Sequence, residues 1–413
     1  MNTTPVSVSE RSDVLDILRG FAILGIFIAN SAGFSLYNFL KDEQQAALPT
    51  YYTDRWLHYL TAAFVEGKFY SLFSLLFGIG FTIMLDKNKN PGRAGLLVFY
   101  RRLCFLVLIG LAHLLLFWDG DILLLYALVG MMLPLFRRLS NKKIILIAIV
   151  LIFSPLLFDT VKIISQGRWN LAKPFEAMAI ATDSKNGITE QNYHTYLVEQ
   201  TGYESILRWN QGGFFWRYQH ILDSNRIPKV LAMFLLGVVA GRKKIYSRLE
   251  ENKIVLQKVQ KWGFLIGIPA SLAFAYFELD HRALPKMIGL ADTFFYATSV
   301  IPLSLAYTAS ICILWLIPSW KAKLKILAPV GRMALTNYLM QTIIAIMIYY
   351  GFGFGLGAKF GPTGFIPIAF MVYAAQVIFS NYYFRYFRYG PVEWIWRQLT
   401  YRQRLPIRNE MSF

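Results

Sequence analysis

Cysteine is nearly absent: Cys104 and Cys312 are the only two in 413 residues, and both fall inside apolar runs. Two such residues make no disulfide framework and no metal cluster, and they read as small buried hydrophobes. Charge is scarce as well. Asp, Glu, Lys and Arg make up 16% of the chain, against about 25% in an ordinary soluble domain. Acids are the rarer sign, 24 against 42 bases, which leaves a net charge of +18. In a soluble protein that surplus would point to nucleic acid, but no basic helix-turn-helix pattern or zinc-ligand spacing occurs, so nucleic acid is set aside and no metal is expected. No internal repeat is visible, so the inverted-repeat sign of many transporters is missing. The polar start MNTTPVSVSERSDVLD lacks a cleavable signal pattern. The first apolar run is too long for a signal h-region and reads as a retained first span.

What the chain has in excess is apolar surface: 56% of its residues are hydrophobic and 16% aromatic, gathered in long uncharged runs. Runs near twenty residues match the hydrocarbon thickness of a bilayer. Backbone polar groups in lipid must be satisfied within the segment, which leaves helices. The expected fold is therefore all-α, one polytopic membrane bundle over residues 1–413 with about ten spans. They are placed at 15–37, 69–85, 98–117, 121–136, 143–160, 226–241, 258–277, 291–317, 328–350 and 365–384. The sixth has an apolar core of only Val230 to Gly241; it begins earlier, near Tyr218, or is shielded by protein. With both termini cytoplasmic, the inner segments carry 28 of the 42 lysines and arginines, as the positive-inside rule asks. The net charge then reads as a topology signal and an attraction to anionic inner-leaflet lipid. The five histidines, His58, His113, His194, His220 and His281, all fall on the outer side or at the outer end of a span.

Two segments stand outside the spans. An outer loop, 161–228, holds Trp169, Tyr193, Tyr196, Tyr203, Trp209, Phe214, Phe215 and Trp216; these form an interfacial aromatic belt or a surface for stacking a substrate. A tail, 385–413, is basic and aromatic. It reads as an interfacial helix on the inner leaflet, or as the closure of a cytosolic entrance by Arg388 and Arg397.

Polar residues inside apolar spans are costly and mark candidate sites. Asp16 and Arg19 share a helix face at the start of the first span, where they form an interface pair or meet a phosphate-bearing ligand. Asn30 lies three turns further along and either ties helices together or touches substrate. Glu66 and Lys68 stand where an outer loop enters the second span, paired with each other or lining an outer cavity. Ser71, Ser74 and Gly78 form a small-residue packing stripe. His113 is followed by Trp118-Asp119-Gly120-Asp121, whose Asp-Gly-Asp is a tight turn, so Asp121 on the adjacent antiparallel helix is either the nearest carboxylate partner or only the N-cap of that helix. Asn337 and Gln341, four apart after Gly331 and Arg332, share one face as helix glue or as substrate lining.

The segments DILRGFAILGIFIAN, KFYSLFSLLFGIGF, GDILLLYALVG, GRMALTNYLMQ and GPVEWIWRQLTY together resemble the YeiB-like family of bacterial inner-membrane proteins, a domain of unknown function. That family is similar to a transmembrane acyltransferase superfamily that includes the lysosomal heparan-α-glucosaminide N-acetyltransferase. The resemblance implies transfer of an acyl group from cytosolic acyl-CoA to an acceptor across the membrane. The signature Asp-x-x-Arg-Gly followed about ten residues later by Asn falls on Asp16, Arg19, Gly20 and Asn30. One departure stands out: a histidine is expected soon after that Asn, but this chain has Lys41 and Asp42 there, and no His before His58.

The expected function is a membrane acyltransferase with acyl-CoA, such as acetyl-CoA, as donor and an envelope sugar, lipid or small molecule as acceptor. No cofactor is expected to be permanently bound, and a homodimer is allowed for. His113 is the expected general base, Asp121 its orienter and Asn30 an oxyanion or substrate contact. Asp16, Arg19, Arg332 and Arg397 are expected to hold the donor; Glu66, Lys68, Asn337 and Gln341 are expected to line the acceptor path. A small-molecule exporter is the alternative, with the Gly-rich stretch 351–357 as a gate; a scaffold without chemistry is a third. The topology is testable with single cysteines and an impermeant thiol reagent on intact cells. Positions Lys142, Arg242 and Lys323 should be protected and His194 and Lys359 labelled; labelling at position 242 would overturn the ten-span arrangement.

Overall fold

The computed structural model describes residues 12–87, 93–278 and 286–409; His281 lies outside them. Among the described residues the fold is all-helical, apart from a single bridge between Phe387 and Arg408. The principal helices are α1 (Asp13–Phe34), α2 (Tyr51–Phe64), α3 (Lys68–Lys87), α4 (Arg93–Ala112), α5 (Leu123–Gly130), α6 (Asn141–Ile164), α7 (Lys173–Lys185), α8 (Tyr203–Asp223), α9 (Arg226–Arg242), α10 (Lys253–Tyr276), α11 (Gly289–Trp315), α12 (Ala334–Tyr349), α13 (Pro362–Tyr383) and α14 (Pro391–Tyr401).

Each of the ten expected spans coincides with helix, and the protein is a helical membrane protein. Among the described residues, length and apolarity alone qualify six helical segments for crossing a bilayer, or seven when the bent pair α8–α9 counts as one span. The shortfall against ten has physical causes. The apolar helices Leu123–Phe136 and Ala334–Tyr349 are short, and α10 opens with Lys253, Lys258 and Lys261. The outward surface is apolar: α6 exposes Leu146, Val150 and Leu157, and α13 exposes Met371 and Ile378. Apolar faces of that extent need lipid or protein against them. By contrast α1 is central, packed on α3, α11, α12, α13 and the short helix Ala328–Arg332.

Two close crossings hold the centre. A Cβ at Gly20 would lie 2.4 Å from the Leu327 carbonyl oxygen, and one at Gly331 would lie 1.8 Å from that of Asp16. The backbone of α1 therefore rests directly on the 328–332 helix, and the Tyr373 hydroxyl adds a hydrogen bond of 2.8 Å to the Gly20 carbonyl. On the other side, α3 meets α9 at Gly78 and Gly237, where added Cβ atoms would lie 2.0 Å and 2.1 Å from backbone oxygens. Small residues permit such approach where apolar solvent gives no hydrophobic drive between helices.

The 161–228 segment is not an open loop. It is largely α7 and α8, and α8 runs into α9 through a 67° bend at Asn225, whose φ is +50°. A buried polar network fixes the bend. Asp159 accepts from Asn225 Nδ2 (2.8 Å) and Thr293 Oγ1 (2.6 Å), and Lys162 pairs with it at 2.9 Å. Several loop aromatics form a packed cap. The Trp209 ring lies 4.6 Å from Tyr193 and 5.5 Å from Phe39, while Trp169 stays exposed. The helix that precedes the sixth expected span, α8, starts well before Tyr218, and α8 and α9 meet the length and apolarity of a span only when counted together across the bend.

The α1 crossing yields a stability prediction. Gly331→Ala forces a methyl into the Asp16 carbonyl, and overpacking of this kind costs about 1–3 kcal/mol or more. Its unfolding midpoint in detergent should fall well below wild type. Gly80→Ala, whose Cβ meets nothing within 4 Å, should melt as wild type.

Candidate functional site

A cavity of about 300 Å³ enters the bundle at the end that carries the α1 N-terminus. One wall is a single face of α1, where Asp16, Arg19, Ile23 and Ile26 recur at helical spacing. Facing it are Phe99, Arg102, Leu103 and Leu106 of α4, Arg332, Leu335 and Tyr338 around the start of α12, and Trp396 and Arg397 of α14. All four residues expected to hold the donor, Asp16, Arg19, Arg332 and Arg397, line this one space.

The mouth concentrates positive charge. Arg19, Arg102, Arg332 and Arg397 converge on it, and the two carboxylates there are committed. Asp16 accepts a hydrogen bond from Arg19. Glu393 caps α12, accepting from the backbone N–H of Leu335 at 2.7 Å and Thr336 at 3.1 Å and from Thr336 Oγ1 at 2.6 Å. Burial pushes the Glu393 carboxyl up, against those donors. Burial, and then the neighbouring Arg102, pull the Arg397 guanidinium down from its ordinary value. An anion at the mouth would offset both effects on Arg397 by supplying an opposite charge. The tail helix is docked rather than loose. The Arg102 guanidinium stacks 4.2 Å over the Trp396 ring, Trp396 Nε1 donates to the Arg102 carbonyl at 3.0 Å, and Arg101 donates to the Thr400 carbonyl at 3.0 Å.

The inner end of the cavity is lined by Ile122, Leu123, Tyr126 and Tyr338; His113 and Asp121 do not line it, and the Tyr338 ring on the wall lies 5.2 Å from the His113 ring. Eleven residues separate Arg102 from His113, about 16 Å of helix rise. His113 opens a π-helical turn, His113–Phe117, a deviation often found at functional positions. His113 and Asp121 are both buried, with Nδ1 to Oδ2 at 2.8 Å. The other Asp121 oxygen accepts from Leu124 N at 2.8 Å, so the residue orients the ring and starts α5 together. Gly110 makes this possible: a Cβ there would lie 2.6 Å from Leu124 N, so α4 and α5 touch backbone to backbone. His113 Nε2 meets Thr342 Oγ1 at 2.9 Å, and the Tyr338 ring lies 5.2 Å away. With Asp121 accepting at Nδ1, the neutral ring presents Nε2 as an acceptor.

The other expected site residues are placed differently. Asn30 continues the α1 face one turn beyond Ile26 and one turn before Phe34, whose ring lies 3.9 Å from Trp118; it is near the inner end but not on the cavity wall. Asn337 and Gln341 do not line the cavity. They turn to α13, with Asn337 Nδ2 donating to Ser380 Oγ at 3.2 Å and Gln341 Nε2 to Gln376 Oε1 at 2.9 Å. Lys68 is also off the wall: fully buried, it donates to the Ala62 carbonyl at 2.8 Å and sits 5.0 Å over Phe274. Glu66 is half-buried and likewise away from the cavity. Residues not anticipated include Arg102, Trp396, Thr342, Tyr338 and Arg217, whose Nε donates to the Asp121 carbonyl at 2.6 Å. The Arg101-Arg102 pair at the start of a span was a readable signal for one of them; Arg217 was hidden among loop aromatics.

Removing one member of a buried pair leaves the other uncompensated, which costs about 3–5 kcal/mol. His113→Ala should therefore lower the unfolding midpoint in detergent. Adding Asp121→Asn should recover part of that loss, and strictly additive losses would show that the two do not interact.

Comparison with known proteins places the chain. The family model described as protein of unknown function (DUF418) matches residues 240–403. The chain is 32% identical to the uncharacterized protein YxaH of Bacillus subtilis (strain 168), across 98% of this chain and 97% of that protein. It is 30% identical to the uncharacterized protein YeiB of Escherichia coli (strain K12), across 98% of this chain and all of that one (100%). No solved structure matches. With its five segments present in order and full-length similarity to both relatives, the chain belongs to the YeiB-like family.

Proposed function

We propose that the protein is a membrane acyltransferase that takes an acyl group from cytosolic acyl-CoA and delivers it to an acceptor arriving from the opposite end of the bundle. The observation that carries this reading is the cavity: one space that runs from four arginines to Tyr338, whose ring packs on the buried His113 of the His–Asp pair. The donor is substrate, not a resident cofactor. Its phosphates would meet Arg19, Arg102, Arg332 and Arg397, where charge-assisted hydrogen bonds are strongest. Its apolar arm would follow Ile23, Ile26, Leu103 and Leu106, leaving the thioester near Tyr338. The about 16 Å between Arg102 and His113 suits an extended pantetheine arm.

In this proposal the acceptor's hydroxyl or amine displaces Thr342 from His113 Nε2, which removes its proton as the nucleophile forms a bond to the thioester carbon. Asp121 on Nδ1 holds the ring and stabilises the imidazolium. The tetrahedral intermediate collapses with cleavage of the C–S bond, and the leaving thiolate takes the proton back. Asn30, one turn beyond the wall, and the Tyr338 hydroxyl are the donors nearest the developing oxyanion. The arrangement fits a bacterial cytoplasmic membrane with both termini inside, anionic inner-leaflet lipid around the basic end, and an envelope sugar, lipid or small molecule as acceptor. One observation favours an exporter instead: the bent pair α8–α9 resembles the broken spans of transporters.

Calorimetry with acetyl-CoA separates the readings. Wild type should bind, and Arg19→Gln should bind about tenfold more weakly, the equivalent of a lost charge-assisted contact. Absence of binding in both would favour export. In an acyl-transfer assay, His113→Gln should lose about a hundredfold or more in turnover while still binding donor. Near-normal turnover would remove His113 from the chemistry.

A further inference from the structure

The acyl-transfer reading uses four arginines and the apolar residues of α1 and α4, and it gives the α3 wall of the cavity no role. That wall is unlike the others. Every residue that α3 contributes to it, from Phe73 to Met84, is apolar, over about 16 Å of helix rise. Ring contacts mark its two ends. Near the mouth, the Phe81 ring lies 4.6 Å from Phe99, one turn before Arg102 on α4. At the inner end, the Phe73 ring stacks on Tyr126 at 6.1 Å. The Tyr126 hydroxyl is itself fixed, donating to the Tyr70 carbonyl at 2.6 Å and accepting from Ser74 Oγ at 2.9 Å. The same cavity therefore runs along α3 from the arginines to a closed end.

Two glycines of α3 show how the helix is divided. Gly78 rests on α9, where a Cβ would lie 2.0 Å from the Phe234 carbonyl oxygen; a Cβ at Gly80 would meet nothing within 4 Å among the described residues. Phe73, Phe77, Gly80 and Ile83 recur at helical spacing, line the cavity and are half-buried, whereas Ser71, Ser74 and Gly78 are buried against neighbouring helices. Protein interiors hold few voids larger than a water molecule, so an apolar space of this extent, kept wide by a glycine, is suited to a ligand. The chemistry of that ligand is restricted. Amides buried without a partner are costly, and the α3 wall supplies no side-chain donor or acceptor. The amide-bearing arm of a CoA thioester therefore belongs on the side of the polar residues, and what fits against α3 is hydrocarbon.

We propose that the donor carries a long acyl chain rather than an acetyl group, and that this chain lies along α3 in a lane whose width is set by Gly80. The inference rests on the acyl-transfer reading and names the substrate class of that same cavity. With the phosphates at the arginines and the thioester near Tyr338, Tyr126 closes the way forward. The chain turns back past Phe73 and Phe77 toward Gly80 and Met84, covered by the rings that line the lane. An acetyl group would leave this wall without a partner.

The test is calorimetry with CoA, acetyl-CoA and octanoyl-CoA on the full-length protein in nanodiscs of phosphatidylcholine. Octanoyl-CoA should bind about a hundredfold more tightly than acetyl-CoA, the scale of gain that burial of the added methylenes brings. Gly80→Leu should remove most of that gain and leave acetyl-CoA binding as in wild type. Gly80→Ala, the smaller fill, should remove part of it and serves if the leucine variant does not fold. Equal affinity for the two thioesters, or a gain that both variants keep, overturns the lane and leaves the acyl-transfer reading standing. A gain that disappears when phosphatidylglycerol replaces phosphatidylcholine overturns the lane as well, because an anionic phospholipid then occupies it. No binding of CoA or of either thioester overturns the acyl-transfer reading, and this inference with it.

Discussion

The contact between α1 and the 328–332 helix is the constraint from which the rest of the interior follows. Two glycines, Gly20 and Gly331, remove the side chains that would hold these backbones apart. With them in contact, Arg19 and Arg332 stand on adjoining walls, and the α1 face that begins at Asp16 runs down the same space as the opening of α12. A bulkier residue at either glycine would open a wedge at the mouth and move two of its four arginines. The Gly110 contact does the same service deeper in, setting α5 against α4 so that a carboxylate eight residues from His113 arrives on its ring. Close packing in lipid has to come from shape, because no hydrophobic drive distinguishes protein from solvent.

Charge placement follows from the same geometry. Four guanidiniums at one opening repel each other, and the tail helix that closes the opening adds one of them. It is held by bonds that do not depend on neutralising that charge: a carboxylate capping α12, an indole stacked on Arg102, and a backbone carbonyl accepting from Arg101. The mouth is thereby preorganised in a conformation that an anionic ligand favours, with the cost of assembling the charge met by helix packing.

Much of this was legible in the residues, and the failures share a cause. The all-helical bundle followed from apolar runs near bilayer thickness. The His113–Asp121 pair followed because a histidine in an apolar span needs a partner, and a three-residue turn limits the candidates. Asp16, Arg19, Arg332 and Arg397 stood out as charged residues on the expected inner side, and they line one cavity. Asn337, Gln341 and Lys68 do not line this cavity, because helical spacing shows that residues share a face, not which neighbour that face meets; the first two meet α13, and Lys68 reaches the Ala62 carbonyl of α2. The α8 helix was read as loop because its polar and aromatic residues have no lipid-facing stripe. Its burial depends on α7 and on the turn after His113, the latter some ninety residues earlier in the chain. Thr342 had no signal at all, since a threonine beside Gln341 looks like any other helix hydroxyl.

The position of α14 has a consequence for how the protein is made. It contributes Glu393, Trp396, Arg397, Thr400 and Tyr401 to the cavity, and it is the last of the cavity walls to leave the ribosome. Chains are synthesised N-terminus first, so α1 and α4 enter the membrane with Arg19 and Arg102 facing an unfinished space. Until α14 arrives, the start of α12 has no cap and the Arg102 guanidinium has no ring to cover it. A chain that ended before α14 would therefore lack Glu393 at the start of α12 and the Trp396 ring over Arg102, and one wall of the mouth would stay open.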